Sequence, residues 1–202
     1  RSIGSGQVLH SPYEVEKARL VVKEMVDSLA LDLVGKRLVT DQLVLTVGYD
    51  IESLSPERGY TGLVITDSYG RQLPQHAHGT VNLGQFTSSS RRMTHAVLEL
   101  FDRIVDRNLL VRRINLVAAH VLHENQTGKD KKPRQLDLFT DYAAEQKREE
   151  QEQGQLQKER KRQEAILKIR ERYGKNALLK GMNLEEGATT RERNQQIGGH
   201  KA

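Results

Sequence analysis

Four histidines invite a metal reading, because His76 and His78 lie two apart and His120 and His123 lie three apart beside another apolar run. Two positions apart on a strand puts both rings on one side. A zinc or catalytic site still needs three or four converging ligands, commonly with a carboxylate, and nothing marks a carboxylate to join these. Histidines at the edge of a sheet are the plainer reading, with a His-based metal-binding domain as the alternative. Asp27, Asp32, Asp102 and Asp106 fall within helical patterns, where a charged outer face accounts for them without a two-metal centre. Ser88, Ser89 and Ser90 lack the context of a nucleophile elbow, and no Gly-rich phosphate loop opens a helix. Recognition chemistry is better marked. Gln135, Leu136, Asp137, Leu138 and Phe139 put three apolar side chains into a stretch with no helical or strand pattern on either side. Such a stretch either packs back onto its own domain or is a linear peptide whose apolar anchors fill a partner's pockets.

The composition limits what can surround these residues. With 202 residues, 36% hydrophobic and 4% aromatic, the chain has room for one ordinary domain and an appendage, with a packed core in only part of it. There is no cysteine, which removes disulfides and thiolate-ligated zinc, and no apolar run approaches a membrane span. A cytoplasmic protein without membrane partners is the simplest expectation. The opening at Arg1, with no initiator Met and no charged-then-apolar leader, reads as a C-terminal piece of something longer. Residues 1–124 hold 14 Lys plus Arg against 14 Asp plus Glu, whereas residues 125–202 hold 18 against 13, so the tail supplies the whole net charge of +5. A basic extension aids polyanion binding but is also common in merely soluble helices.

The elements that must position any site read in a clear order. Ser2 to Leu9 is extended in character, and Ser11, Pro12 and Glu14 resemble a cap, a first helical position and a capping box. Ala18, Val22, Met25, Leu29 and Leu33 then recur at helical spacing up to Gly35. Leu43, Leu45, Val47 and Tyr49 alternate with Val44, Thr46 and Gly48 as a strand with one heavy face. Residues 57–75 hold an extra hairpin turning at Asp67, Ser68, Tyr69 and Gly70, and Val81 and Leu83 then oppose Thr80, Asn82 and Gly84. The three serines cap a second helix marked by Val97, Leu98, Phe101, Ile104 and Val105, and alternation returns from Val111 to His123.

Strand, helix, strand, strand, helix, strand suits an α+β fold: a four-stranded β-α-β-β-α-β sheet with two helices on one face. If the heavy faces pack under the helices, the open side carries Thr46, Gly48, Thr80, Asn82, Gly84, Arg113 and Asn115. Hydroxyl, amide and cationic groups beside glycines are what phosphate oxygens accept from, and a solvated sheet face is the plain alternative. Beyond residue 124, Asn125 to Arg134 reads as a flexible spacer, so 125–142 is a linker that displays the Gln135–Phe139 segment. Residues 143–173 read as a charged helix, solvated or partly frayed and broken by Gly154, and 174–202 as a mostly disordered tail. The charged helix lacks sustained heptads, which argues against a coiled-coil adaptor.

Three stretches carry a family resemblance: Ser2-Ile3-Gly4-Ser5-Gly6-Gln7-Val8-Leu9, then Phe86-Thr87-Ser88-Ser89, then Leu110-Val111-Arg112-Arg113-Ile114. In order and spacing they resemble the little finger, the accessory DNA-binding domain of Y-family translesion DNA polymerases of the UmuC/DinB type. The end of the chain, Arg191 to His200, resembles UmuC-like members from Gram-positive bacteria. Gln135 to Phe139 resembles the peptide by which bacterial polymerases dock onto the sliding clamp, the DNA polymerase III beta subunit. The resemblance implies that residues 1–124 are a little finger gripping the backbone of template-primer duplex in damaged-DNA bypass, the setting of the SOS response. It makes Arg112, Arg113, Asn115, Thr80, Asn82, Arg91 and Ser5 the candidate DNA contacts and Gln135, Leu136, Asp137, Leu138 and Phe139 the clamp contacts. Of the arginine pair, Arg113 shares a strand side with Asn115 and should face DNA. The family's catalytic carboxylates and their two Mg²⁺ ions belong to a palm domain whose motifs have no match here, so no catalytic residue, cofactor or metal is assigned to this chain and no polymerisation is expected of it alone.

Overall fold

A computed structural model describes residues 1–129, 142–197 and 200–201. Strand β1 (Ile3–Tyr13) leads into helix α1 (Val15–Gly35) and strand β2 (Leu38–Tyr49). The hairpin β3 (Val64–Thr66) and β4 (Gln72–Pro74) precedes strand β5 (Ala77–Thr87), helix α2 (Ser90–Ile104), strand β6 (Val111–Ala119) and the short β7 (Leu122–His123). The main strands pair antiparallel in the order β1-β6-β2-β5, with β7 added to the start of β2. Leu43, Leu45 and Val47 of β2 and Ile114, Leu116 and Ala118 of β6 are fully buried beneath Ala18, Val22, Met25 and Leu29 of α1 and Met93, Val97, Leu100 and Phe101 of α2. The β-α-β-β-α-β sheet with both helices on one side is therefore the fold, set by the alternation of heavy and light residues along each strand.

Local chemistry fixes the joints. Ser89 accepts from the Arg92 N–H at 3.2 Å and caps α2, while the Thr87 hydroxyl accepts from the Ser89 N–H at 3.0 Å. Gly79 on β5 lies so close to α2 that a Cβ there would come within 2.8 Å of Leu100 Cδ1, so a side chain at this position would make Leu100 shift. In the small hairpin, Asp67 Oδ1 accepts from the N–H groups of Tyr69 and Arg71, both at 2.9 Å, and Gly70 takes the left-handed turn position at φ 78°. The start of α1 differs from the sequence reading. Ser11 and Pro12 remain in β1, and Glu14 precedes the helix with extended backbone and no side-chain cap bond. Pairing of β1 with β6 is interrupted between Val8 and Tyr13, so the missing N–H of Pro12 breaks no ladder bond, and buried Tyr13 resumes the register opposite Val111.

Across the outer edge of the helix layer, Arg19 donates from Nε and Nη2 to the two carboxylate oxygens of Asp102, both at 2.9 Å. These bonds hold the Asp102 carboxyl below its ordinary value. A depressed folded-state pKa gives stability that is complete above the ordinary carboxylate range and is lost as pH falls through the lowered value. Both side chains are more than a third exposed, which limits the pair to about 0.5 kcal/mol. Asp102→Asn is expected to lower the melting temperature by about 1–2 °C at neutral pH, and the gap should close in acid. A gap of the same size throughout would assign the loss to something other than the carboxylate.

The C-terminal third departs most from expectation. Helix α3 (Tyr142–Tyr173) runs unbroken through Gly154, and the tail continues through a 3₁₀ turn (Gly181–Leu184) and helix α4 (Thr190–Arg193). A single helix glycine costs only about 1 kcal/mol, and α3 recovers more by docking. Glu159 accepts from the Ser89 hydroxyl at 2.7 Å and the Arg91 N–H at 3.0 Å, which sets a carboxylate on the positive end of α2. Gln163, 5% exposed, donates to the Ser88 carbonyl at 3.1 Å. Arg160 pairs with Glu124 at 3.0 Å, and residues Glu124–Lys129 form a 3₁₀ turn in place of the start of a flexible spacer.

The tail is likewise folded through residue 197 rather than disordered, and α1 receives it. Glu24, 2% exposed, accepts from Asn183 Nδ2 at 2.7 Å and from the Thr189 N–H at 2.8 Å. Asp27, expected on a solvated outer face, is buried and bonds the Ser90 hydroxyl at 2.7 Å and the Lys180 ammonium. Burial draws the Arg193 guanidinium below its usual value, partly opposed by Glu24. The helix layer is thus sandwiched between the sheet and a polar-bonded C-terminal layer. Among the described residues, no helix is long and apolar enough to cross a membrane.

Candidate nucleic-acid interface and clamp-binding segment

The face of the sheet turned away from the helices is built by register. Val8 of β1, Arg113 of β6 and Gly48 of β2 form one row, and Gly6, Asn115, Thr46 and His78 form the next. Gly4, Val117, Val44 and Thr80 make a third row, with Gln42 and Asn82 paired beyond it. Arg113, Asn115, Thr80 and Asn82 are all exposed there. Two side-chain bonds tie neighbouring strands across it: Gln42 Nε2 donates to Asn82 Oδ1 at 2.8 Å, and Thr46 Oγ1 meets His78 Nδ1 at 2.9 Å.

Glycines flank the central cation-bearing strand on both sides. A Cβ at Gly4 would come within 3.0 Å of Val117 Cγ2, so the β1 side of the face stays low because that position is bare. Gly6 lies beside Asn115 and Gly48 beside Arg113 in the same way. The result is a face on which the exposed hydroxyl, amide and guanidinium groups of Thr80, Asn82, Asn115 and Arg113 share the sheet with bare positions on β1 and β2. Such donors position a phosphate backbone without reading base edges.

Of the seven DNA contacts expected from the sequence, Arg113, Asn115, Thr80 and Asn82 come together on this face and three do not. Ser5 pairs with Leu116, which places it on the helix side of β1, half-buried. Arg112 is the extra residue at the register shift between the Gly48–Arg113 and Tyr49–Val111 pairs, with its guanidinium Nε 3.7 Å from Asp50. Arg91 lies in the first turn of α2, and its Nη1 donates to Gln155 of α3 at 2.8 Å. The face also holds residues outside that set of seven: Gln42, His78, Gly4 and Gly6, together with Val8, which is 61% exposed. Period-two alternation carried outward from Val44 and Thr80 would have found Gln42 and His78, and in β1 the positions that alternate with Ile3, Gln7 and buried Leu9 are Gly4, Gly6 and Val8.

His120 Nδ1 lies 3.0 Å from Asp41, and His78 is bound to Thr46 as above. Among the described residues no three His, Cys, Asp or Glu side chains converge as a metal site would require. Glu24, Asp27 and Asp102 each accept from protein donors. The Gln135–Phe139 segment lies outside the described residues, which resume at Tyr142 where α3 begins.

Among solved structures, the chain matches a "Complex of beta-clamp processivity factor and little finger domain of PolIV" at 10% identity and TM-score 0.36, over 69% of this chain and 100% of that one. No curated protein matches it. The family model of the impB/mucB/samB family C-terminal domain matches residues 1–138, about two thirds of the sequence and the whole of the sheet and its helices. The chain therefore belongs to the impB/mucB/samB family through that C-terminal domain, and is the C-terminal part of a Y-family translesion polymerase.

Proposed function

We propose that this chain is the non-catalytic, DNA-gripping and clamp-tethering portion of an error-prone translesion polymerase, acting in the cytoplasm on damaged template during the SOS response. The observation that carries the reading is the open face: four strands set Arg113, Asn115, Thr80 and Asn82 among bare glycines, opposite the side that both helices cover. Family membership makes template-primer duplex the natural occupant of that face. With one guanidinium and several neutral donors, the surface suits backbone contact without sequence preference. The Gln135-Leu136-Asp137-Leu138-Phe139 peptide, entering shortly after Lys129 and ending shortly before α3, supplies the link to the bacterial sliding clamp.

Binding to primer-template duplex should weaken in Arg113→Ala, and the slope of log affinity against log salt should fall by about one unit for the lost phosphate contact. Arg112→Ala should change the slope less, because its guanidinium stands near Asp50. Fluorescence anisotropy over a salt series measures both. A slope unchanged in Arg113→Ala, or a loss that depends on duplex sequence, would refute backbone gripping by this face.

A further inference from the structure

On the side of the helix layer remote from the sheet, α1, α2, α3 and the tail enclose an open groove. Its rim is cationic: Lys23 of α1, Arg91 of α2, Lys158 and Arg162 of α3, and Lys180 of the tail line it. Only two carboxylates share the lining, Asp27 and Glu159, and both are already engaged. Asp27 holds Lys180 and Ser90, and Glu159 caps α2 through Ser89 and the Arg91 N–H. Among the described residues no carboxylate lies within ion-pair distance of Lys23, Lys158 or Arg162, whereas the Arg91 guanidinium is already held by the Gln155 amide oxygen. The floor is different in character, formed by the half-buried side chains of Leu98, Ile166 and Met182.

We propose that this groove docks an acidic peptide segment of a protein partner, with apolar anchors on the Leu98–Ile166–Met182 floor and carboxylates paired to Lys23, Lys158 and Arg162 of the rim. Charge complementarity selects the partner's sign, and the apolar floor selects a peptide over a bare polyanion, because phosphates gain nothing from desolvating three aliphatic side chains. Position supports the same choice. The helix layer separates the groove from the Arg113 face, so a partner held here leaves that face free for DNA. The proposal does not depend on the DNA reading.

A suitable probe is a fluorescein-labelled dodecapeptide with leucines at every third or fourth position and glutamates elsewhere, titrated by anisotropy with the full chain. The peptide should bind, and Lys158→Glu with Arg162→Glu should weaken it at least about tenfold. Polyglutamate of equal length should bind at least about tenfold more weakly than the peptide, and Ile166→Gln should reduce peptide binding without affecting polyglutamate. Arg113→Ala should leave peptide binding unchanged. Circular dichroism melts keep the comparison on folded protein, and Lys158→Ala with Arg162→Ala replaces the charge reversal if that variant melts early. Failure of the peptide to bind, or equal binding by the charge-altered variant, would overturn the proposal. Equal affinity for polyglutamate would reduce the groove to a charge sink, and displacement of the peptide by a twelve-residue oligothymidylate would assign the groove to nucleic acid instead.

Discussion

Replacing Glu24 by alanine is expected to release the C-terminal tail from α1 while the sheet and its helices stay folded. The carboxylate is 2% exposed and accepts from Asn183 Nδ2, the Thr189 N–H and the Thr189 hydroxyl, at 2.7, 2.8 and 3.3 Å. Deleting it strands these donors in a place water reaches poorly, at about 1–3 kcal/mol for each buried group left unpaired. The tail has only partial apolar burial to set against such a loss: Leu178, Leu179 and Met182 are half-buried, Leu184 is 68% exposed, and its fully buried residues are the polar Asn183, Thr189 and Thr190. The inner face of α1 is independent of all this, since Ala18, Val22, Met25 and Leu29 pack on the core. Hydrogen exchange at the Asn183 and Thr189 amides should therefore accelerate about 100-fold, corresponding to roughly 3 kcal/mol, with little change at β2 and β6. Glu24→Gln keeps an acceptor oxygen and should lie between the two. Tail amides as protected in Glu24→Ala as in wild type would show that the contact with α1 does not hold the tail.

How much of this is legible in the sequence depends on whether the signal is periodic. Leu43, Leu45, Val47, Ile114, Leu116 and Ala118 announce a one-sided sheet because every second residue must meet the helices, and the same alternation yields Arg113, Asn115, Thr80 and Asn82 on the open side. Ser89 as a cap and Asp67 as a turn residue are equally local, since each bonds a backbone group within four residues. The C-terminal layer carries no such rhythm. Glu24 meets Thr189 across 165 residues, Asp27 meets Lys180 across 153, and Glu159 meets Ser89 across 70. Each is a single polar bond between residues that, on their own elements, look like ordinary solvated positions. A charge-dense helix with a weak apolar stripe reads as free, yet Gln163 is buried on the Ser88 carbonyl. Ser5 and Arg91 mislead for the opposite reason. Family stretches and residue type point to them as DNA contacts, but strand parity sets Ser5 beside Leu116 and the docking of α3 takes Arg91.

Leu138→Ala combined with Phe139→Ala is expected to abolish detectable binding of this chain to the bacterial sliding clamp. Two hydrophobic anchors in a partner's pockets carry most of the energy of such a peptide, so their joint truncation should cost more than about 2 kcal/mol, upward of thirtyfold in affinity. Asp137→Ala should cost far less, and Gln135→Ala should fall between, as a hydrogen-bonding residue at the pocket rim. The fold adds a geometric condition that a free tail would not impose. The chain preceding the segment is fixed in the 3₁₀ turn Glu124–Lys129, and the chain following it is fixed where α3 begins at Tyr142. Phe139 is three residues from Tyr142, a reach of roughly 10 Å at full extension, so a clamp that takes Phe139 must sit close to the start of α3. Lengthening that connection with a Gly-Ser insertion after Thr140 should therefore leave the affinity for free clamp nearly unchanged, while weakening binding to clamp loaded beside DNA, where the short connection raises the local concentration. Calorimetric titration of purified clamp with wild type, the double variant and the insertion separates these effects. Equal affinities for wild type and the double variant would return Gln135–Phe139 to a tether packed on its own domain. Equal weakening of the insertion on free and DNA-loaded clamp would place part of the clamp contact on α3 itself.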